Sequence, residues 1–147
     1  MTTLELRRLG IGDLLAIEEI ERRSYRTPWS RSMFAGELAK PSSICIGAFS
    51  ADGDEDGERT LHGYLIVSRY VDAWHVMNVA VDPEHRGRGV ATMLLERLFD
   101  VTADDARANL PVLCDERRGG LVAGRLQPED QATGSFHMMS ASSRLSV

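Results

Sequence analysis

An α/β fold is predicted by three features of the sequence. His75 to Thr92, HVMNVAVDPEHRGRGVAT, reads as a strand, a glycine-rich basic turn and the start of a helix. Between Asp13 and Lys40 lie two segments with helical apolar spacing, separated by Tyr25-Arg26-Thr27-Pro28-Trp29. Ile44 to Phe49 and Leu61 to Arg69 are strand-like runs on either side of an acidic, glycine-punctuated loop.

Taken in order, Thr3 to Leu9 alternates loosely and is expected to be an edge strand. Asp13 is placed to cap the first helix, with Leu14, Leu15, Ile17 and Ile20 on its buried side. Glu18, Glu19, Glu21, Arg22 and Arg23 are expected to form its solvated face. Ser30 caps the second helix, Trp29 staples onto Phe34, and Met33, Phe34 and Leu38 continue the apolar face until Lys40-Pro41 ends it. The loop Ala51 to Thr60 carries Asp52, Asp54, Glu55, Asp56 and Glu58, which repel one another and suit a hairpin tip. In the strand that follows, Met77, Val79 and Val81 are expected on one face, and Asp82-Pro83 ends the run because proline donates no ladder hydrogen bond. Met93, Leu94, Leu95 and Leu98 then mark an amphipathic helix.

A turn between a strand and a helix directs free backbone N–H groups and the positive end of the helix dipole to one point, which suits a phosphate. A side chain at Gly87 or Gly89 would hold a diphosphate off the backbone. Neither G-x-x-x-x-G-K-[ST] nor G-x-G-x-x-G with an acidic residue some twenty positions on is present. A basic loop that only caps a core helix is the plainer reading of the same residues.

Arg86-Gly87-Arg88-Gly89-Val90-Ala91, preceded by Asn78-Val79-Ala80-Val81-Asp82-Pro83 and followed by an apolar helix, resembles the [Q/R]-x-x-G-x-[G/A] turn of the GNAT superfamily of acetyl-CoA-dependent N-acetyltransferases. Thr27-Pro28-Trp29-Ser30 with Met33-Phe34 resembles the PWS-x-x-x-F segment of its RimI-type members, which acetylate the N-terminal alanine of a small-subunit ribosomal protein. The resemblance implies a mixed, mainly antiparallel sheet with helices on both faces. It implies acetyl-CoA as co-substrate, with the backbone of Val79, Ala80 and Val81 holding the pantetheine arm. The amides of Gly87, Arg88, Gly89, Val90, Ala91 and Thr92 would take the diphosphate, with charge from Arg86 and Arg88. Its partner would be a protein with a free N-terminal amine, a ribosomal protein in the RimI case. Trp29 can serve both as staple and as substrate wall.

The resemblance covers residues 1–107, and residues 108–147 depart from it. Aligned through Arg107 and Leu110, the family's glutamate position holds Pro111, and a proline can neither act as a base nor donate to a ladder. The family's L-Y-x-x-[LF]-G-F motif is missing, and no tyrosine follows Tyr70. The C-terminal strands are therefore expected to be missing or irregular, with a partly disordered tail. A frameshift would account for the break: Cys114 to Gly119 can be encoded by codons that, read one base later, spell Ala-Thr-Asn-Asp-Gly. No catalytic residue is assigned. Asp115 and Glu116 read as a solvated loop, Cys114 has no histidine motif beside it, and His75 and His85 lack metal partners at ligand spacing. Met138 and Met139 carry no readable role.

Composition narrows the class. At 147 residues, 43% hydrophobic and 27% charged, the chain has the make-up of one globular domain. A net charge of −5 argues against bulk electrostatic binding of nucleic acid. No apolar run approaches the roughly 20 residues of a membrane span, no signal-peptide pattern opens the chain, and its two cysteines give no metal or disulfide framework. A cytoplasmic N-terminal acetyltransferase is the expectation. A GNAT acting on a small amine, or a catalytically impaired acetyl-CoA-binding fragment, is the alternative.

Overall fold

A computed structural model describes residues 3–53, 55–69, 74–103 and 112–114. Its five-stranded sheet runs in the order β1 (Leu4–Arg8), β2 (Ser43–Ser50), β3 (Leu61–Arg69), β4 (Trp74–Val81), β5 (Val112–Cys114). The first three pairings are antiparallel and β4 pairs with β5 in parallel. The expected mixed, mainly antiparallel sheet is therefore present. Of the C-terminal strands expected to be missing or irregular, one forms: β5 follows Pro111 and pairs Val112 to Cys114 with Trp74 to Val76. Residues 104–111 and 115–147, with Asp115, Glu116, Met138 and Met139, lie outside the described residues.

Alternation along β3 builds two cores. Leu65 and Val67 pack with Val79, Val81, Val90, Leu94 and Leu98 under α3 (Val90–Ala103), while Tyr64 and Ile66 pack with Ile17, Ile20 and Phe34. The latter belong to α1 (Leu14–Ser24) and α2 (Arg31–Ala39), so the helices cover both faces. A sheet sandwiched in this way leaves β3 buried nearly end to end. Ser30 caps α2 by accepting from the Met33 N–H, and Trp29 lies against Phe34 with ring centroids 5.2 Å apart, as its position before the cap predicts.

Four local expectations are corrected. Leu15 and Met33 are 69% and 48% exposed, because the buried stripes run through Ile17, Ile20 and Phe34 and miss them by a turn fraction. Asp13 does not cap α1 through its side chain; its carboxylate accepts from the Gly10 N–H at 2.8 Å and from Arg7, closing the 3₁₀ turn Ile11–Asp13 instead. Met77 sits on the opposite face from Val79 and Val81. A β-bulge interrupts the register between Ile66 and Val67, so Ile66 faces Asn78, Val67 faces Val76, and Met77 has no partner.

The fourth concerns Glu21, which is fully buried rather than solvated. Its position four residues after Ile17 puts it on the inner stripe of α1. The carboxylate accepts from the Trp29 N–H at 2.9 Å, from the Asn78 amide at 2.8 Å and from the Tyr64 hydroxyl. One buried anion thus joins α1, the entry to α2, β3 and the bulged part of β4.

Two stability measurements follow from this packing. Glu21→Ala removes an acceptor from two buried donors, the Tyr64 hydroxyl and the Asn78 amide, and from the half-buried Trp29 N–H, at about 1–3 kcal/mol for each buried group before relaxation. Urea unfolding should show a loss of roughly 3 kcal/mol or more, against about 1 kcal/mol for Tyr64→Phe, which removes a single donor. Gly36 lies inside α2 and a Cβ there meets nothing within 4 Å. Gly36→Ala should therefore raise stability by about 0.5–1 kcal/mol; a loss would show that the helix needs the glycine.

Candidate functional site

The bulge directs the outer edge of β4. Beyond it, Ala80 faces Tyr64 and Val81 faces Gly63, and the Asp82 N–H donates to the His62 carbonyl at 2.8 Å. In an antiparallel ladder successive residues turn their polar groups to opposite edges. Val79 and Val81 accordingly turn theirs away from β3. Their carbonyls accept from the Tyr25 hydroxyl and from Arg86 Nε, the latter at 3.1 Å. Among the described residues β5 reaches only Trp74 to Val76, so no strand pairs the outer edge at Val79 to Val81. The side chains of Val79, Ala80 and Val81 are buried in the two cores, which leaves main chain as their contribution to any site.

The basic turn follows at once. Asp82 accepts from the Glu84 N–H at 3.0 Å, starting a 3₁₀ turn at Pro83–His85 that swings the chain out of the sheet. Gly87 and Gly89 adopt φ of 74° and 79°, a conformation that costs an L-residue about 1–2 kcal/mol. A Cβ built on either meets nothing within 4 Å, so the turn presents bare backbone on an open side. The first helical bond of α3 runs from the Met93 N–H to the Gly89 carbonyl at 3.0 Å, which leaves the amides of Val90, Ala91 and Thr92 without an intrahelical partner. These are the donors the sequence nominated, gathered at one helix end.

The two arginines differ in placement. Arg86 is half-buried and braced, with its guanidinium donating to the Val81 carbonyl and to Ser24 Oγ at 3.2 Å. Arg88 is exposed and has no ion pair among the described residues, which makes it the freer charge at the turn. Beneath them Arg23 pairs with the buried Asp82 carboxylate at 2.7 Å, and the rings of His62 and His85 stack with centroids 3.7 Å apart. Burial, then the neighbouring His85, holds the His62 imidazole below its ordinary pKa, so it adds no charge at neutral pH. The local charge is cationic although the chain as a whole is acidic.

The sequence missed two residues of this region. Tyr25 reaches the outer edge of β4, and Glu21 fixes that strand to the Trp29 corner. The helical spacing of Glu21 from Ile17 was the available signal for one; nothing in the sequence pattern pointed to the other. Cys45 is an unsuitable nucleophile, since burial pushes its thiol up to about 11. Among the described residues no group of three or more His, Cys, Asp or Glu side chains forms a potential metal cluster.

Comparison with known proteins agrees with this geometry. The chain is 32% identical over 108 residues to an uncharacterised N-acetyltransferase of Methanocaldococcus jannaschii, covering 74% of this chain and 65% of that protein. It is 31% identical over 100 residues to the ribosomal protein bS18-alanine N-acetyltransferase of Salmonella typhimurium, covering 68% of this chain and 61% of that one. It therefore spans somewhat under two thirds of the length of each. In fold it is similar to the crystal structure of the ribosomal-protein-S18-alanine N-acetyltransferase from Escherichia coli (TM-score 0.61, 22% identity, 76% of this chain and 66% of that). It is also similar to Arabidopsis thaliana NAA60 in complex with acetyl-CoA (TM-score 0.63, 16% identity, 76% and 74%). Residues 14–115 match the acetyltransferase (GNAT) family, and the chain belongs to that family.

Proposed function

We propose that this chain is an N-acetyltransferase that moves the acetyl group of acetyl-CoA to the N-terminal amine of a protein. The observation that carries the reading is the continuity of two backbone features. Among the described residues no strand pairs the outer edge of β4 at Val79 and Val81, and that edge leads directly into the positive-φ turn at the N-terminus of α3. An extended amide-bearing arm fits the first and a diphosphate fits the second. Coenzyme A is one molecule with both parts in that order.

In this reading the N–H and C=O groups of Val79 and Val81 hold the arm as an added strand. The amides from Gly87 to Thr92 bind the diphosphate, Arg88 adds charge and Arg86 braces the turn. Acetyl-CoA supplies an activated thioester carbonyl. The bulge at Met77 bends β4 next to the point where that carbonyl would lie, which favours a main-chain donor aimed at it.

The substrate amine helps. An N-terminal α-amine has a pKa of about 7.7–8.0, so roughly a tenth is already neutral at pH 7. Pro111 stands where the family pattern has a glutamate, and losing a general base costs about 10²–10⁴-fold. A slow enzyme is therefore the expectation. The Pro28-Trp29-Ser30 corner, and a relative named for bS18 alanine acetylation, favour a ribosomal protein beginning with alanine, which would place the reaction in the cytoplasm. Residues 1–107 form the acetyl-CoA-binding core in this account, and 108–147 is the segment that departs from the family pattern, although its Val112–Cys114 joins the sheet as β5. The competing reading, a binder without turnover, rests on Pro111.

Two experiments separate these. The full chain incubated with acetyl-CoA and an alanine-starting basic peptide should release free thiol in proportion to peptide; release no higher than the peptide-free blank would reject the enzyme reading. Gly87→Ala should lose about 1–2 kcal/mol of stability and weaken calorimetric binding of coenzyme A by about tenfold or more, the equivalent of one charge-assisted hydrogen bond. Undiminished affinity in that variant would remove the turn from the site.

A further inference from the structure

The sheet face beneath α3 is not covered across its whole width. α3 packs against β2, β3 and β4, and β1 lies one strand further out at the sheet edge. An open cleft of about 410 Å³ lies between the second half of the helix and the β1/β2 edge. Alternation puts Leu4, Leu6 and Arg8 on one side of β1, and Leu4 and Leu6 pack on the core that holds Ile46, Leu94 and Leu98. Leu6, Ile44 and Ile46 therefore form an apolar floor. Val101, 47% exposed, faces it from α3 and shares a helix side with Arg97, four residues earlier.

The charges bordering this cleft have one sign. Arg8 and Arg97 are exposed, and neither makes an ion pair among the described residues. Arg7 also borders the cleft, but its guanidinium is paired with Asp13 and lies over the Phe49 ring. Among the described residues no Asp or Glu lines it, although the chain carries a net charge of −5. An apolar floor with two unspent guanidiniums at its border suits a molecule with a hydrocarbon body and one anionic head.

We infer that this cleft binds a medium-chain carboxylate, with its hydrocarbon on Leu6, Ile44, Ile46 and Val101 and its head at Arg8 and Arg97. The volume falls in the roughly 300–1,000 Å³ range of small-molecule sites. Val101 lies eleven residues along α3 from Val90, about 16 Å at the helical rise. The site is thus separate from the glycine turn, and the inference does not depend on the proposed function.

Calorimetry on the full chain tests it with octanoate, which should show saturable binding at millimolar concentration or below. Hexanoate should bind more weakly, by about two- to fourfold for each methylene removed. Octylammonium, with the same chain and the opposite charge, should not bind. Arg8→Gln and Arg97→Gln should each weaken octanoate binding about two- to fivefold, the range of an exposed ion pair. Saturating coenzyme A should leave octanoate affinity unchanged. Absence of saturable octanoate binding, equal binding of octylammonium, or full affinity in the double variant would overturn the inference. Displacement of octanoate by coenzyme A would put the fatty chain elsewhere and reject the cleft as well. Should the variants fail to fold, carbon-13 methyl labelling of isoleucine in the wild type gives a second readout. The Ile44 and Ile46 resonances should shift with octanoate while Ile17 and Ile20, on the opposite sheet face, stay fixed; unmoved Ile44 and Ile46 resonances reject the site.

Discussion

The hydrogen-bonding edge of β4 is the constraint on which the rest of the structure turns. Its inner edge is committed to β3 from Trp74 to Val81, and among the described residues its outer edge is paired with β5 only at Trp74 to Val76. Past that point two buried carbonyls need donors, because an unsatisfied main-chain acceptor in an apolar setting is expensive. The chain meets the need with side chains rather than a strand. A side-chain donor, unlike a paired strand, can change rotamer without breaking a ladder.

That edge is useful only if it stays in register with the turn below it, and the buried carboxylate of Glu21 supplies the fixing. It binds Asn78 beside the bulge, the main chain at Trp29 and the Tyr64 hydroxyl on β3. A bulged strand twists more than a regular one and has fewer ladder bonds to resist slippage. Three donors converging on one anion from three elements hold it more firmly than the apolar contacts around it, which have no direction. The exposed pair Arg31–Glu18 on the outside of the same helices has no comparable role, since exposed ion pairs contribute little.

Legibility in the sequence followed the range of the interactions. The strand, the glycine turn and the apolar helix from His75 onward depend on neighbours in the chain, and each formed where its spacing placed it. The Ser30 cap and the Trp29–Phe34 contact were readable for the same reason. Met77 departs from the face its alternation predicts because a bulge is a disagreement between two strands and leaves no mark in either alone. Acidic neighbours such as Glu18 and Glu19 make Glu21 look like surface in the sequence; only the positions of Asn78, Tyr64 and Trp29 turn it inward. Tyr25 could not be found from local pattern, since its partner is a main-chain atom fifty-four positions away.

Charge at the turn shows how a local field can oppose the net one. The whole chain carries −5, yet the groups around Gly87 to Thr92 are Arg86, Arg88 and a helix N-terminus. One neighbouring carboxylate, Asp82, is buried and paired with Arg23 and the Glu84 amide. With Debye screening over about 8 Å at physiological salt, the field at the turn is set chiefly by those neighbours rather than by the net charge of the chain.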